Sequence, residues 1–195
     1  ASPTTLGKEL FVFHYRLGIE FSELKNIKLY TKFGGAVGNL NAHYVAFPNI
    51  DWIEWCDKFI SDLGLHRSRF TTQIDNYDSI SRILDSLKRM CVILTDLCQD
   101  IWLYISLNYF KLKINSEEVG SSTMPHKVNP INFENAEGNF KLCISLIQFL
   151  SAELPISRLQ RDLTDSTLTR NIGSVFGYFM IAVNSLLQGL DKIDI

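Results

Sequence analysis

The chain has 195 residues, a formal net charge of −2 and 46% hydrophobic residues. Its pI of about 6.1 gives no footing for nonspecific binding to nucleic acid or to an anionic membrane surface. The longest unbroken apolar run, Phe179 to Val183, is ended by Asn184. A membrane span needs about 20 apolar residues, so none is expected, and no basic-then-apolar leader opens the chain.

Four stretches carry a helical period. In the first, Leu6, Leu10, Phe13, Leu17, Phe21 and Leu24 recur at three-to-four spacing, which predicts one apolar helix face. Ser2 followed by Pro3 reads as its cap and first helical residue. Residues 31–72 hold Gly34, Gly35, Gly38 and Pro48 and read as a connector with one short helix around 52–63. Within it, Gly34-Gly35-Ala36-Val37-Gly38-Asn39 invites a nucleotide-loop reading. It lacks a helix-opening G-x-G-x-x-G after a strand, so a helix-ending turn is the expectation.

The second periodic stretch places Ile80, Leu84, Leu87, Cys91, Leu94, Cys98, Ile101 and Ile105 on one face, a helix of roughly 40 Å. The third runs from about 133 to 153 and is stopped by Pro155. The fourth begins near Asp165 and carries Leu168, Ile172, Val175, Phe179, Ala182 and Leu186. Gly173 and Gly177 lie four apart in it and would allow a close helix approach. Cys56, Cys91, Cys98 and Cys143 form no C-x-x-C pair, and the histidines do not flank them at zinc spacing. They read as reduced core residues, which suits a cytosolic protein. The expected fold is all-α: an elongated bundle of long antiparallel helices, one domain over residues 1–195. Its wide apolar faces suggest association with copies of itself.

Two connectors carry chemistry. Residues 120–130 read Gly-Ser-Ser-Thr-Met-Pro-His-Lys-Val-Asn-Pro. A glycine-led turn, one cation and one amide sit between two helices, as a catalytic loop on a rigid frame would require. Residues 155–171 hold Arg161, Ser166 and Arg170. On a helix, Ser166 and Arg170 share a face, and two guanidiniums with a hydroxyl could hold a phosphate. Spacing alone favours a solvated face in which Arg161 pairs with Asp162 or Asp165.

The 120–130 stretch resembles the GSSxMPxKxNP signature loop of the fumarase/aspartase lyase superfamily. Three further stretches are similar to its adenylosuccinate-lyase branch: the 155–171 block, Thr71-Thr72-Gln73, and the opening Ala1-Ser2-Pro3-Thr4-Thr5-Leu6-Gly7-Lys8-Glu9. The resemblance covers essentially the whole chain. It implies a carbon–nitrogen lyase of purine (AMP and IMP) biosynthesis, cytoplasmic and without metal or other cofactor. Adenylosuccinate would give AMP and fumarate. The succinylated aminoimidazole carboxamide ribotide, SAICAR, would give AICAR and fumarate.

By the same resemblance Ser121 is the general base. A serine hydroxyl is a weak acid, so its alkoxide needs positive charge and oriented N–H donors. Lys127 supplies the charge. Asn129 joins it in binding the doubly charged aci-carboxylate formed when the proton leaves. Ser122, Asn135 and Gln73 are expected to contact substrate, and Arg161, Ser166 and Arg170 to hold the nucleotide phosphate. Glu134 would orient Lys127 or serve as a helix-start carboxylate. His126 would line the site, with His14, His43 and His66 structural or at the surface. The loop around 115–124 is expected to move without ligand.

Family members are longer than this chain. The resemblance therefore implies the central helical domain of a homotetramer whose general-acid histidine, N-terminal domain and C-terminal domain lie elsewhere. That piece alone would be inactive. The alternatives are another superfamily lyase, such as argininosuccinate lyase or fumarase, and a noncatalytic helical scaffold.

Overall fold

The computed structural model describes residues 2–113 and 129–194. Among these the fold is all-α, as expected. The helices are α1 (Leu6–Asn26), α2 (Asn41–Ala46), α3 (Trp52–Asp62), α4 (Asp78–Ser106), α5 (Ile131–Glu153), α6 (Thr164–Leu168) and α7 (Ile172–Asp191). A 3-10 turn, Thr169–Asn171, joins α6 to α7. Four two-residue strands complete the set: β1 (Tyr30–Thr31), β2 (His66–Arg67), β3 (Lys111–Leu112) and β4 (Ile193–Asp194). β1 pairs parallel with β2, Tyr30 opposite His66. β3 pairs antiparallel with β4, Lys111 opposite Asp194.

Two compact units share the long helices. One comprises residues 1–21, 88–146 and 173–195, the other 22–87 and 147–172.

The first unit is a set of antiparallel helices, and its cross-links set the directions. Arg16 and Glu20 of α1 meet Asp96 and Arg89 of α4, each at 2.6 Å. Along α4 and α5, Gln99 donates to Glu137 and Trp102 to Glu134, both at 2.9 Å. Phe140 of α5 packs edge-on against Phe179 of α7 at 6.1 Å, and Ser185 Oγ donates to the Asn132 carbonyl at 2.9 Å. Phe133, Phe140, Cys91, Cys98, Cys143, Val175 and Ala182 are buried in this core. All four cysteines are free and buried. The Cys91 and Cys143 sulfurs lie 3.8 Å apart; the hydrogen bond to Cys143 and burial together push the Cys91 thiol well above its ordinary range.

The second unit depends more on polar contacts. Asp51 caps α3, accepting from the Ile53 and Glu54 amides at 3.0 Å each. Arg67 donates to the Phe33 carbonyl at 2.8 Å and to Asp57 at 3.0 Å. Ser151 of α5 donates to Asp85 of α4 at 3.2 Å. Leu40, Cys56, Ile60, Leu84, Leu87, Ile147, Leu150 and Leu154 form its apolar core.

Several local expectations need correction. The α1 cap is Thr5, not Ser2: its Oγ1 accepts from the Lys8 amide at 3.3 Å, and its carbonyl takes the first helical bond, from Glu9, at 3.0 Å. The turn at 34–39 does not end a helix, because β1 comes between it and α1. A two-residue parallel pair leaves no periodic trace in a sequence. α2 falls inside a stretch expected to be irregular. Gly173 and Gly177 of α7 have open space where a Cβ would point, so no close approach is made there by the described residues.

α7 also departs from the membrane expectation. The continuous helical stretch Thr164–Asp191 is long and apolar enough to cross a membrane by length and composition, with mean hydropathy 1.3. Small and amide residues, such as Gly173, Gly177, Asn184 and Gln188, break the apolar runs while no charge appears between Arg170 and Asp191. Val175, Ala182 and Leu186 are buried, yet Phe176, Met180, Ile181 and Leu187 remain about half exposed.

Candidate active site

In the second unit, residues 71–77 lie beside residues 160–166. The Gln73 amide donates to the Gln160 carbonyl at 3.2 Å, which seats Gln73 next to the residue before Arg161. Gln73 itself is exposed. The seat is shaped from the other side by Gly38. This residue has φ +81°, and a Cβ there would lie 2.2 Å from the Thr71 carbonyl oxygen and 3.2 Å from that of Thr72. Only glycine fits both the left-handed backbone and the contact. The glycine turn is thus filled by the chain's own backbone, and the nucleotide-loop reading finds no room in it.

The 157–164 segment is tied down by Asp162. That carboxylate accepts from the Thr164 amide at 3.0 Å and from the Arg158 amide and Nε at 3.2 and 3.1 Å. The hydrogen bond from Thr164 is the main reason its carboxyl is lowered to about 2. Of the two partners open to Arg161, the structure therefore gives Asp162 to Arg158. Arg161 faces Asp165 instead, Nη2 to Oδ2, at 3.7 Å. That is longer than a charge-assisted hydrogen bond of about 2.7–2.9 Å, so Arg161 is held by charge rather than by a tight bond.

Asp165 is 7% exposed and collects three neighbours. Besides Arg161, it accepts from Tyr77 Oη at 2.9 Å and from Ser166 Oγ at 3.5 Å. Arg161 and Ser166 are thus brought together around one buried carboxylate. Arg170 is exposed and lies in the 3-10 turn. The four-residue spacing between Ser166 and Arg170 therefore crosses a change of helix type, which a regular helical reading does not allow for.

In the first unit, Asn129 is half-buried just before α5 and lines a small cavity with Lys113, Asn132, Phe133 and Lys192. Lys192 Nζ donates to Asn132 Oδ1 at 3.2 Å. Asn135, on the exposed side of α5, accepts from Asn139 Nδ2 at its amide oxygen, 2.7 Å away. Glu134 sits in the first turn of α5 and accepts from Trp102. Ser121, Ser122, His126 and Lys127, with the 115–124 loop, lie outside the described residues.

Sequence reasoning missed Tyr77, and it named Asp165 only as a possible ion-pair partner. Tyr77 gave no signal beyond its place four residues after Gln73. His43, expected to be structural or at the surface, is half-buried. It packs edge-on against Trp52 at 4.9 Å, with a buried Nδ1 that has no hydrogen-bond partner. Among the described residues no cluster of His, Cys, Asp or Glu could hold a metal ion.

Two family profiles match the chain. One, described as Lyase, covers residues 1–143. The other, described as Adenylosuccinate lyase C-terminal, covers residues 157–195. Among curated relatives, the adenylosuccinate lyase of Dictyostelium discoideum is 55% identical over 99% of this chain and 42% of its own length. That of Legionella pneumophila (strain Corby) is 51% identical over the whole chain and 43% of its own length. That of Escherichia coli (strain K12) is 46% identical with the same coverage. The chain thus spans less than half the length of the curated relatives it matches. A profile match over most of the sequence, with kinship to adenylosuccinate lyases from end to end, places this chain in the lyase family, within the fumarase/aspartase superfamily.

Proposed function

We propose that these 195 residues are the central helical domain of an adenylosuccinate lyase. In this reading the enzyme cleaves adenylosuccinate to AMP and fumarate, and SAICAR to AICAR and fumarate. One observation carries it: the segments that bear the chemistry, 71–73, 120–130 and 155–171, all fall within a chain that matches adenylosuccinate lyases along its full length at 46–55% identity.

The reaction is a β-elimination. Ser121, as alkoxide, takes the proton from the carbon beside a carboxylate. The electron pair left behind is held as an aci-carboxylate by Lys127 and Asn129, with Ser122 at the same carboxylate. The pair then forms the carbon–carbon double bond as the carbon–nitrogen bond breaks. The nitrogen leaves with a proton from a histidine outside this chain. Gln73 and Asn135 contact substrate. Arg161, Ser166 and Arg170 bind the 5′-phosphate. No cofactor takes part.

The exposed apolar side of α7 favours a homo-oligomer, a tetramer by family resemblance, working in the cytoplasm. In a larger bundle Phe176, Met180, Ile181 and Leu187 would be covered.

The test is fumarate absorbance with the complete enzyme. Ser121→Ala should lower kcat by roughly 10²–10⁴-fold, the usual contribution of a positioned base. An unchanged rate would remove Ser121 from the mechanism. The 195-residue chain alone should release no fumarate, because the acid is elsewhere; turnover by the isolated chain would overturn that assignment.

A further inference from the structure

We infer that Asp165, held by Tyr77, is a positioning residue: it aims Arg161 and Ser166 at the substrate phosphate and touches no substrate itself. This rests on the phosphate role given to Arg161 and Ser166 under the proposed function.

Three features converge. The first is burial. A carboxylate 7% exposed and beside a phosphate site would repel the ligand, unless its charge is spent on the groups that bind it. Asp165 faces those groups, Arg161 at 3.7 Å and Ser166 at 3.5 Å. The second is backbone geometry. Tyr77 has φ +58°, a conformation costly for a bulky residue and found mainly where surrounding structure enforces it. Its amide is fixed by Asp75 Oδ2 at 3.1 Å. The third is the direction that geometry gives the ring: the phenol reaches Asp165 at 2.9 Å across 88 residues of sequence.

A neutral donor on one side of Asp165 satisfies an oxygen without neutralising its charge. Arg161, 3.7 Å away on the same oxygen, then stays loosely paired and can rotate its fork onto an anion. With the phenol gone, Asp165 would be free to close on Arg161 as a full ion pair, and the guanidinium would be withdrawn from ligand. The Gln73–Gln160 hydrogen bond, at 3.2 Å, ties the same two segments at a second point. Loss at Tyr77 therefore need not separate them.

The test uses the complete enzyme and two inhibitors that differ only by phosphate, AMP and adenosine. Tyr77→Phe keeps the ring and removes the hydroxyl; Asp165→Asn keeps the shape and removes the charge. The inhibition constant for AMP should rise by about tenfold in each, that for adenosine by less than about twofold, with KM for adenylosuccinate rising more than kcat falls. Equal losses for both inhibitors, or no loss for AMP, would overturn the inference. Should Asp165→Asn fail to fold, Tyr77→Phe decides alone. Arg161→Ala separates the two levels. If it leaves the preference for AMP over adenosine intact, the phosphate reading itself fails. If it abolishes that preference while Tyr77→Phe and Asp165→Asn both retain it, only the positioning role fails.

Discussion

The two units are specified by different physics. In the unit containing 88–146, the buried groups are large and apolar, with Phe133, Phe140, Ile101 and Val175 fully enclosed. The unit containing 22–87 holds every buried polar residue among those described: Ser79, Ser81, Ser86 and Asp165. Among the described residues it also holds Leu40, Tyr77 and Leu159, three of the four non-glycine residues with positive φ, and Gly35, Gly38 and Gly64, all the glycines with positive φ. Both units enclose apolar side chains, Leu84, Ile147, Leu150 and Leu154 among them in the second, but the buried polar groups and the unusual backbone are concentrated there. Strained and polar interiors recur where a protein handles a ligand, and the residues assigned to the phosphate lie in the second.

That contrast can be broken most directly in the apolar unit. Phe140→Ala removes a fully buried ring and its edge-on partner contact and should cost about 3–5 kcal/mol in denaturant unfolding at fixed protein concentration. AMP affinity in the folded enzyme should be unchanged. A large loss of AMP affinity there would contradict the division of labour. Arg67→Ala acts in the polar unit. The side chain is 4% exposed and bonded to Asp57; its loss takes the donor from the Phe33 carbonyl and leaves Asp57 paired with Arg69 alone, at about 3 kcal/mol.

Gly38→Ala should cost less stability, about 2 kcal/mol, but should move Thr71 and hence Gln73. KM for adenylosuccinate should rise more than in Gly64→Ala, which has a similar φ of +75° and open space at its Cβ. Equal KM values would reduce Gly38 to a backbone effect. The smallest effect concerns acid. Asp162 is held at about 2, below its ordinary 3.8, so it contributes stability that is present above about pH 4 and is lost as pH falls toward 2. Asp162→Asn should flatten the pH dependence of unfolding in that window; an unaltered slope would show that the loop bonds do not form in solution.

How much was legible follows the same divide. The long helices were readable because each hides one face, and a face recurs every three to four residues: 131–153 and 78–106 were found within a few residues of their ends. What failed was set by contacts between distant residues. The Tyr30–His66 bridge, the left-handed Tyr77 and the seat under Thr71 depend on partners far along the sequence. Thr5 replaced Ser2 as the α1 cap because the helix begins three residues later than its proline suggested. At the site, Gln73, Arg161 and Ser166 were accessible through resemblance. Asp165 was visible only as a charge, since burial is what makes it a candidate organiser, and burial is not written in the spacing.

The four enclosed thiols offer an internal clock. Cys56 belongs to the polar unit, whereas Cys91, Cys98 and Cys143 belong to the apolar one, and each is 0% exposed. Burial pushes Cys98 up to about 12, so an alkylating reagent should modify it only when its surroundings open. Timed labelling followed by peptide mapping would thus time the transient opening of each half separately, with no residue replaced.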